Sequence, residues 1–520
     1  MKTIDNSSLF RSLGKSGSGA INASDILQVL AQSGIAIGDV RLAPLRARLD
    51  AFKGERIDEK GFDSLQDAAG QLLARAQKGE LIIPNFANFS AKVERLFARV
   101  ATINDGKVAD YIPQLARVSG DRFAVSMCTI DGQRLHLGDA EEAFTLQSSC
   151  KPVLYCAALE ELGEQNVHKH VGREPSGLSF NELSLNGNGL PHNPMINAGA
   201  IMTSSLIRRG QTTANRLEFL SDLVTALSGN RRCHFNNAVW HSERETADRN
   251  FALAHHMRER GAFPEGTNIE STLDYYFSAC STEVTATAVA TIGATFANGG
   301  MCPETGERVF GAETVKNCLS MMYSCGMYDY SGEFAFTVGI PAKSSVSGVI
   351  LAVIPNVMGI AVWSPRLDAC GNSVRGVAFL RELVDTFSFH NYDSLVASRK
   401  EDPRRLRTSS ETSFTYRAIQ AASVGDIAEL KRLIAHGHNL DMADYDGRSP
   451  LHLACADNQA DTVRFLLDHG VATSPKDRWG VTPLADARKH KRKEIVGLFA
   501  QRAQVCEAER PAHAGAALHH

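Results

Sequence analysis

Phe144-Thr145-Leu146-Gln147-Ser148-Ser149-Cys150-Lys151-Pro152 is the stretch around which the fold of this 520-residue chain is read. Just before it, Phe123, Val125 and Met127 alternate with other residues, Asp131-Gly132 supplies a turn, and Leu135 and Leu137 alternate again, the pattern of a β-hairpin. After it, residues 151–323 read as one long helical stretch. Segments 334–338, 349–354 and 360–363 then return to strand character, and 377–387 carries the apolar stripe of a helix. Strands on both sides of a helical block imply an α+β fold, an antiparallel sheet with a helical domain inserted in it. Within the quoted stretch Ser148 and Lys151 stand three apart, so one helical turn puts them on one face. Arrival from the strands places Ser148 near the N-terminus of that helix, where backbone N–H groups favour developing negative charge. To act as a base Lys151 must be neutral; moving its pKa from about 10.4 towards 7 takes on the order of 4 to 5 kcal/mol of desolvation or nearby positive charge. The plainer alternative is a capping serine beside a surface lysine, and Ser12 with Lys15 matches the same spacing by chance.

Working outward, Pro341-Ala342-Lys343-Ser344-Ser345-Val346 precedes a strand, in the chain position that Lys-Thr-Gly occupies in penicillin-recognising enzymes. Two Ser-Lys elements in that order support one active site and keep a β-lactamase or peptidoglycan peptidase as the alternative enzyme. A third reading, of a different class, is a dimerising scaffold whose flanking domains bind a protein.

A net charge of -3 and a pI near 6.6 supply no basic field for nucleic acid or an anionic membrane. The eleven cysteines are scattered singly, without a C-x-x-C pair, which fits a reduced compartment. The most apolar stretch, 349–362, is broken by Pro355, Asn356 and Gly359, so it reads as two buried strands and not as a membrane span. Met1 to Phe10 lack the features of a signal peptide or an organelle presequence, so the expected location is the cytoplasm, in a bacterium.

Residues 1–100 read as a helical domain: Ile26, Leu27, Val29 and Leu30, then Leu72, Leu73 and Ala76, repeat at helical spacing. Its loop 14–25 puts Gly19 at the sixth and Ile21 at the eighth position of a calcium-type loop, yet Gly14, Ser16 and Ser18 stand where carboxylates bind. Loop 50–61 ends in Gly61 where a bidentate Glu is needed. Both are EF-hand-like in shape, without calcium ligands. The catalytic domain spans 105–395 and a charged, Pro-containing linker 398–412. Between 414 and 503 the chain repeats itself every 33 residues, Gly447 to Gly480 and Pro450 to Pro483, with His436-Gly437 and His469-Gly470 keeping step. About three ankyrin repeats fit there, followed by a tail over 504–520. His168-Lys169-His170 and His255-His256 lack matched ligand spacing and read as solvent-facing. The run Arg488 to Lys493 reads as a solvated basic helix face.

Several longer motifs then resemble the serine-dependent glutaminases, a β-lactamase-like family: Asp110-Tyr111-Ile112-Pro113-Gln114, Pro191-His192-Asn193-Pro194-Met195-Ile196-Asn197, Ser242-Glu243-Arg244-Glu245-Thr246, Phe263-Pro264-Glu265-Gly266 and Gly326-Met327-Tyr328-Asp329-Tyr330. The resemblance runs from about 105 to 390 and, with the flanking domains, is similar to the kidney-type members. It implies hydrolysis of L-glutamine to L-glutamate and ammonia, without metal or organic cofactor, in a homo-oligomer (dimer or tetramer) whose ankyrin repeats bind a protein. It further implies that Ser148 is the nucleophile, Lys151 its base and Tyr328 the assistant to ammonia departure. Ser148 and Val346 N–H groups would hold the oxyanion. Glu243 would meet the substrate's ammonium, and Asn197, Asn250, Tyr276 and Tyr111 its carboxylate and remaining polar atoms. The chain departs from the family pattern where Ser345 replaces a glycine beside the proposed oxyanion donor, and where Glu182 and Ser184 replace Lys and Phe of the kidney-type segment tied to phosphate activation and filament formation.

Overall fold

The computed structural model describes residues 6–13, 20–52, 56–177, 182–393, 400–404, 414–444 and 446–508. The chain divides into two compact units, one formed by Gly34–Ala36 and Asn85–Arg404, the other by Met1–Ser33, Ile37–Pro84 and Arg405–His520.

The first unit is built on a five-stranded sheet in the order Arg134–Gly138, Ala124–Thr129, Met358–Trp363, Val349–Ile354, Ala342–Ser344, every neighbour antiparallel. The hairpin closes through Gly132 at φ 81°, a left-handed conformation that glycine adopts without strain. The three long strands are buried at every residue; Val349–Ile354 and Met358–Trp363 are continuously apolar, whereas Ala124–Thr129 also buries Ser126 and Thr129. Helix Ala286–Ala297, also buried throughout, covers one face. It reaches the backbone of the sheet because Gly293 meets Gly359: a Cβ on Gly359 would collide with the backbone of Ala290, Gly293 and Ala294. Helix Val374–Thr386 packs elsewhere on the sheet, with Gly376 against Ile350. Helix Phe86–Val100 joins this unit through its aromatic face, Phe89 lying 5.0 Å from Phe387 and Phe97 stacking on Phe123 at 4.4 Å.

Two expected elements differ. Segment 334–338 is not a strand but the end of helix Ser331–Thr337: Ser331, Phe334 and Val338 face inward at helical spacing, while Phe336, which completes the apparent alternation, is 83% exposed. The stretch 151–323 is not uninterrupted helix either. A small sheet of Phe144–Thr145, Thr282–Val284 and His234–Phe235 crosses it, with strands too short to leave a periodic signature. Of the expected linker, 400–404 is tied to this unit: Glu401 bridges Phe387 in parallel and its carboxylate accepts from Lys92 and Asn88. Residues 398–399 and 405–412 lie outside the described residues.

In the second unit, helices Asn6–Leu13, Ala23–Gln32, Ala43–Ala51, Glu59–Ala69 and Gln71–Lys78 share one compact body with the repeats. Helix Asn6–Leu13 packs on helix Ile427–Ala435, and Lys78 O bonds the His436 ring at 2.9 Å. Ile21 and Ile57, each eighth in its loop, exchange backbone hydrogen bonds of 2.8 Å in an antiparallel bridge. Loop positions 14–19 and 53–55 lie outside the described residues. The 33-residue period is realised atom for atom: Asp444 Oδ1 accepts from the N–H groups of Asp446 and Arg448, and Asp477 Oδ1 from those of Trp479 and Val481. Pro450 and Pro483 open the first helix of their repeats, where the missing N–H costs nothing. Residues 509–520 of the expected tail lie outside the described residues.

Substitution Gly359→Ala is expected to destabilise the sheet unit by about 1–3 kcal/mol, because neither backbone can yield to the added methyl. Thermal unfolding checks it, as a fall in the midpoint of the transition.

Candidate active site

Leu146 is pinned to the small sheet by its N–H, which donates to Thr282 O at 2.8 Å. The chain then turns sharply through Gln147 at φ 48°, a conformation that costs a residue with a side chain of order 1–3 kcal/mol. The short 3-10 turn Gln147–Cys150 runs directly into helix Lys151–Leu162, so Ser148 lies just ahead of the helix and Lys151 is its first residue. Lys151 is not at the surface. It is fully buried, its Nζ 2.9 Å from Ser148 Oγ and 2.8 Å from Asn197 Oδ1. Burial lowers its pKa to about 8, against the opposing influence of Cys280, Cys150 and Glu243.

Asn197 opens helix Asn197–Leu206 and is held on both sides. Its Oδ1 also accepts from the Tyr276 hydroxyl at 3.3 Å, and its Nδ2 donates to Asn250 Oδ1 at 3.2 Å. On helix Asn237–Glu245, neighbouring side chains divide between surface and site. Arg244 pairs outward with Asp274 (2.8 Å) and Glu270 (3.0 Å), whereas Glu243 turns inward, 8% exposed. Glu243 Oε1 accepts from Tyr111 Oη at 2.6 Å and Gln147 Nε2 at 2.9 Å. Burial raises the Glu243 pKa; the bonds from Tyr111 and Gln147 and the charge of Lys151 oppose the rise.

Tyr328 completes the group, in a second left-handed conformation at φ 54°. Burial pushes its phenol above the ordinary range, while the neighbouring Ser148 hydroxyl and Val346 N–H oppose that rise. Lys343 is also fully buried: its Nζ sits 4.4 Å from the centre of the Tyr328 ring and donates to Gly326 O (3.1 Å) and Ser344 O (2.6 Å). Ser345, fully buried, gives its hydroxyl to Leu146 O at 2.8 Å and shares it with Ser347 Oγ at 3.0 Å. A cavity of about 430 Å³ opens beside Tyr328, lined among others by Asn193, Met195, Ile196 and Asp329.

Ser148, Lys151, Asn197, Asn250 and Tyr276 are thus linked by direct polar contacts, with Tyr328 beside Ser148; Tyr111 and Glu243 are linked likewise, and Gln147 connects them to the Ser148 turn. Gln147 has no role in the sequence reading, where adjacency to Ser148 is its only signal, and Lys343 enters there only as part of the second Ser-Lys element. The histidine pair His168 and His170 is half-buried and engaged, not solvent-facing: His168 meets Tyr155 Oη at 2.8 Å and Val171 O, and His170 meets Ala262 O. Among the described residues no group of three His, Cys, Asp or Glu side chains is placed to hold a metal ion, and no helix is long and apolar enough to cross a membrane. A hydroxyl against an amine of lowered pKa can attack a carbonyl carbon, and the buried carboxylate nearby suits a substrate that carries a cation.

Comparison with known proteins agrees. The glutaminase family model matches residues 106–392, and a model of three ankyrin repeats matches 418–509. The chain is 43% identical over 478 residues to the mitochondrial liver isoform of glutaminase from Rattus norvegicus, covering 90% of this chain and 79% of that one. A putative glutaminase 3 of Caenorhabditis elegans is 46% identical over 420 residues, 80% of this chain and 72% of that one. The solved structure of a probable glutaminase, ybaS, superposes with a TM-score of 0.56 at 38% identity, covering 58% of this chain and 97% of that one. The expectation of a bacterial, cytoplasmic protein is overturned: relatives matching 90% of the chain are mitochondrial isoforms of rat and mouse, and the match takes in the flanking domains. The chain belongs to the glutaminase family, a mixed α/β hydrolase with C-terminal ankyrin repeats that acts on the side-chain amide of glutamine.

Proposed function

We propose that hydrolysis proceeds through a glutamyl ester on Ser148. The observation that carries this reading is the 2.9 Å contact between Ser148 Oγ and the fully buried amine of Lys151. Neutral Lys151 takes the Ser148 proton as Oγ bonds to the side-chain carbonyl carbon of glutamine. The resulting oxyanion is held by the N–H groups of Ser148 and Val346, each such donor being worth about 3 to 4 kcal/mol. The C–N bond then breaks and ammonia leaves with a proton delivered through Tyr328. Water attacks the ester, Lys151 again accepting the proton, and glutamate departs with Ser148 restored. The substrate's ammonium is met by Glu243, whose carboxylate Tyr111 and Gln147 keep oriented. Asn197, Asn250 and Tyr276 receive its carboxylate and polar edge. The reading extends to a homo-oligomer, dimer or tetramer, to ankyrin repeats that bind a protein, and to an N-terminal loop pair of EF-hand-like shape, supported by the Ile21 and Ile57 bridge, that takes no calcium.

The first assay is ammonia and glutamate release from L-glutamine, with L-asparagine and a chromogenic cephalosporin alongside; cephalosporin cleavage in place of glutamine hydrolysis contradicts the reading. Ser148→Ala is expected to abolish turnover with an unchanged unfolding temperature, and persistent turnover rules out this nucleophile.

The pH profile has a definite sign. Lys151 titrates at about 8 because burial disfavours its ammonium, so its base form grows as pH rises through that value. Tyr328, raised by burial, keeps its proton over the same interval. Hence kcat/KM should climb between about pH 7 and 9, and a profile falling over that interval excludes Lys151 as the base.

Glu243→Gln removes the counter-charge and should raise KM for glutamine by the equivalent of about 2 kcal/mol or more. Steady-state kinetics at several glutamine concentrations read this directly; an unaltered KM places the ammonium elsewhere.

A further inference from the structure

We infer that Ser345 is a positioning residue for the oxyanion site, setting the separation between the segment that carries Ser148 and the segment that carries Val346. The inference rests on the Ser148 reading given above. Val346 lies between two buried serines in a tight turn closed by Ser345 N to Val349 O (3.0 Å) and Gly348 N to Ser345 O (2.9 Å). Ser347 O is fixed from below by Trp363 Nε1 at 2.9 Å. From this turn one side chain crosses to the nucleophile segment: the Ser345 hydroxyl donates to Leu146 O at 2.8 Å, two residues ahead of Ser148. Leu146 O is itself gripped from the other side by Ser149 Oγ at 2.6 Å and Ser149 N at 3.0 Å. Ser347 Oγ at 3.0 Å and Ser347 N at 3.4 Å hold the Ser345 hydroxyl in place.

The Ser345 side chain, which the resemblance sets in place of a glycine, is directed to Leu146 O and Ser347 Oγ. It supplies a crosslink of one hydrogen bond between the two chain segments whose N–H groups must converge on a single oxygen. Such convergence matters because donors are effective only within a narrow distance of the developing charge, and loosening by about 1 Å costs on the order of 100-fold in rate. Ser345 touches no substrate atom in this account; it acts through Leu146 and Val346.

The test compares the full chain with Ser345→Ala, Ser345→Gly and Ser347→Ala, measuring kcat, KM, the unfolding temperature and two affinities. One ligand is L-glutamate. The other is its boronic acid analogue, with boron in place of the γ-carboxyl carbon, which takes up Ser148 Oγ as a tetrahedral boronate and presents an oxygen to the oxyanion donors. Both Ser345 variants are expected to lose about 10-fold or more in kcat and a similar factor in boronate affinity. KM, glutamate affinity and unfolding temperature should hold. Ser347→Ala should show a smaller loss of the same kind. Unchanged kcat and boronate affinity in both Ser345 variants overturn the inference, as does a loss shared equally by glutamate binding. A Ser148→Ala protein that still turns over removes the underlying reading and this inference with it. A Ser148-dependent reaction indifferent to Ser345 removes the inference alone.

Discussion

Taking the Lys151 amine out of water is the constraint around which the catalytic unit is arranged. An ammonium in that position loses its hydration, and only precise partners make the burial tolerable. Ser148 Oγ and Asn197 Oδ1 are those partners, and each is fixed by a further layer: the 3-10 turn and small sheet behind Ser148, Asn250 and Tyr276 around Asn197. The same desolvation that makes the lysine expensive to bury brings its pKa down to where it can accept a proton. Lys343 is a second buried lysine under a different arrangement. Its Nζ is held by two backbone carbonyls and the face of Tyr328, so it braces the loop that carries the phenol, and burial lowers its pKa well below the usual lysine range.

The backbone strain falls beside these groups. Gln147 and Tyr328 both adopt left-handed conformations, one immediately before Ser148 and one at the phenol beside it. Strain of this kind persists only where the surroundings over-determine it. Here the over-determination is visible: Gln147 is bonded to Glu243, and Tyr328 lies under the Lys343 Nζ with its hydroxyl facing Ser148 and Val346. The five-stranded sheet below supplies the rigid reference, since its central strands are sealed against helix Ala286–Ala297 at the glycine contact.

Much of this was legible in the residues, and the failures have physical causes. The hairpin, the strand Val349–Ile354 and the 33-residue period carry signals repeated over many positions, and those survive as structure. Segment 334–338 misled because Phe334 and Phe336 alternate in sequence while only Phe334 is buried. Two- and three-residue strands leave no period at all. Within the site, Ser148 and Lys151 were marked by spacing, but Glu243 stood in a run of charges whose inward and outward members only tertiary contact separates. Gln147 and the inward role of Ser345 depend on partners more than 90 residues away in sequence, which no local pattern encodes. The grouping of the N-terminal helices with the repeats is of the same kind, set by packing between segments more than 300 residues apart.

The central claim is a covalent one, and it is tested most directly by trapping. Enzyme mixed with L-glutamine, quenched in acid within a turnover and digested, should yield a glutamyl ester on the peptide that contains Ser148, seen by tandem mass spectrometry and absent without substrate. A glutamyl group on any other residue, or complete hydrolysis with no adduct at any quench time while hydroxylamine traps no acyl group, would contradict the account.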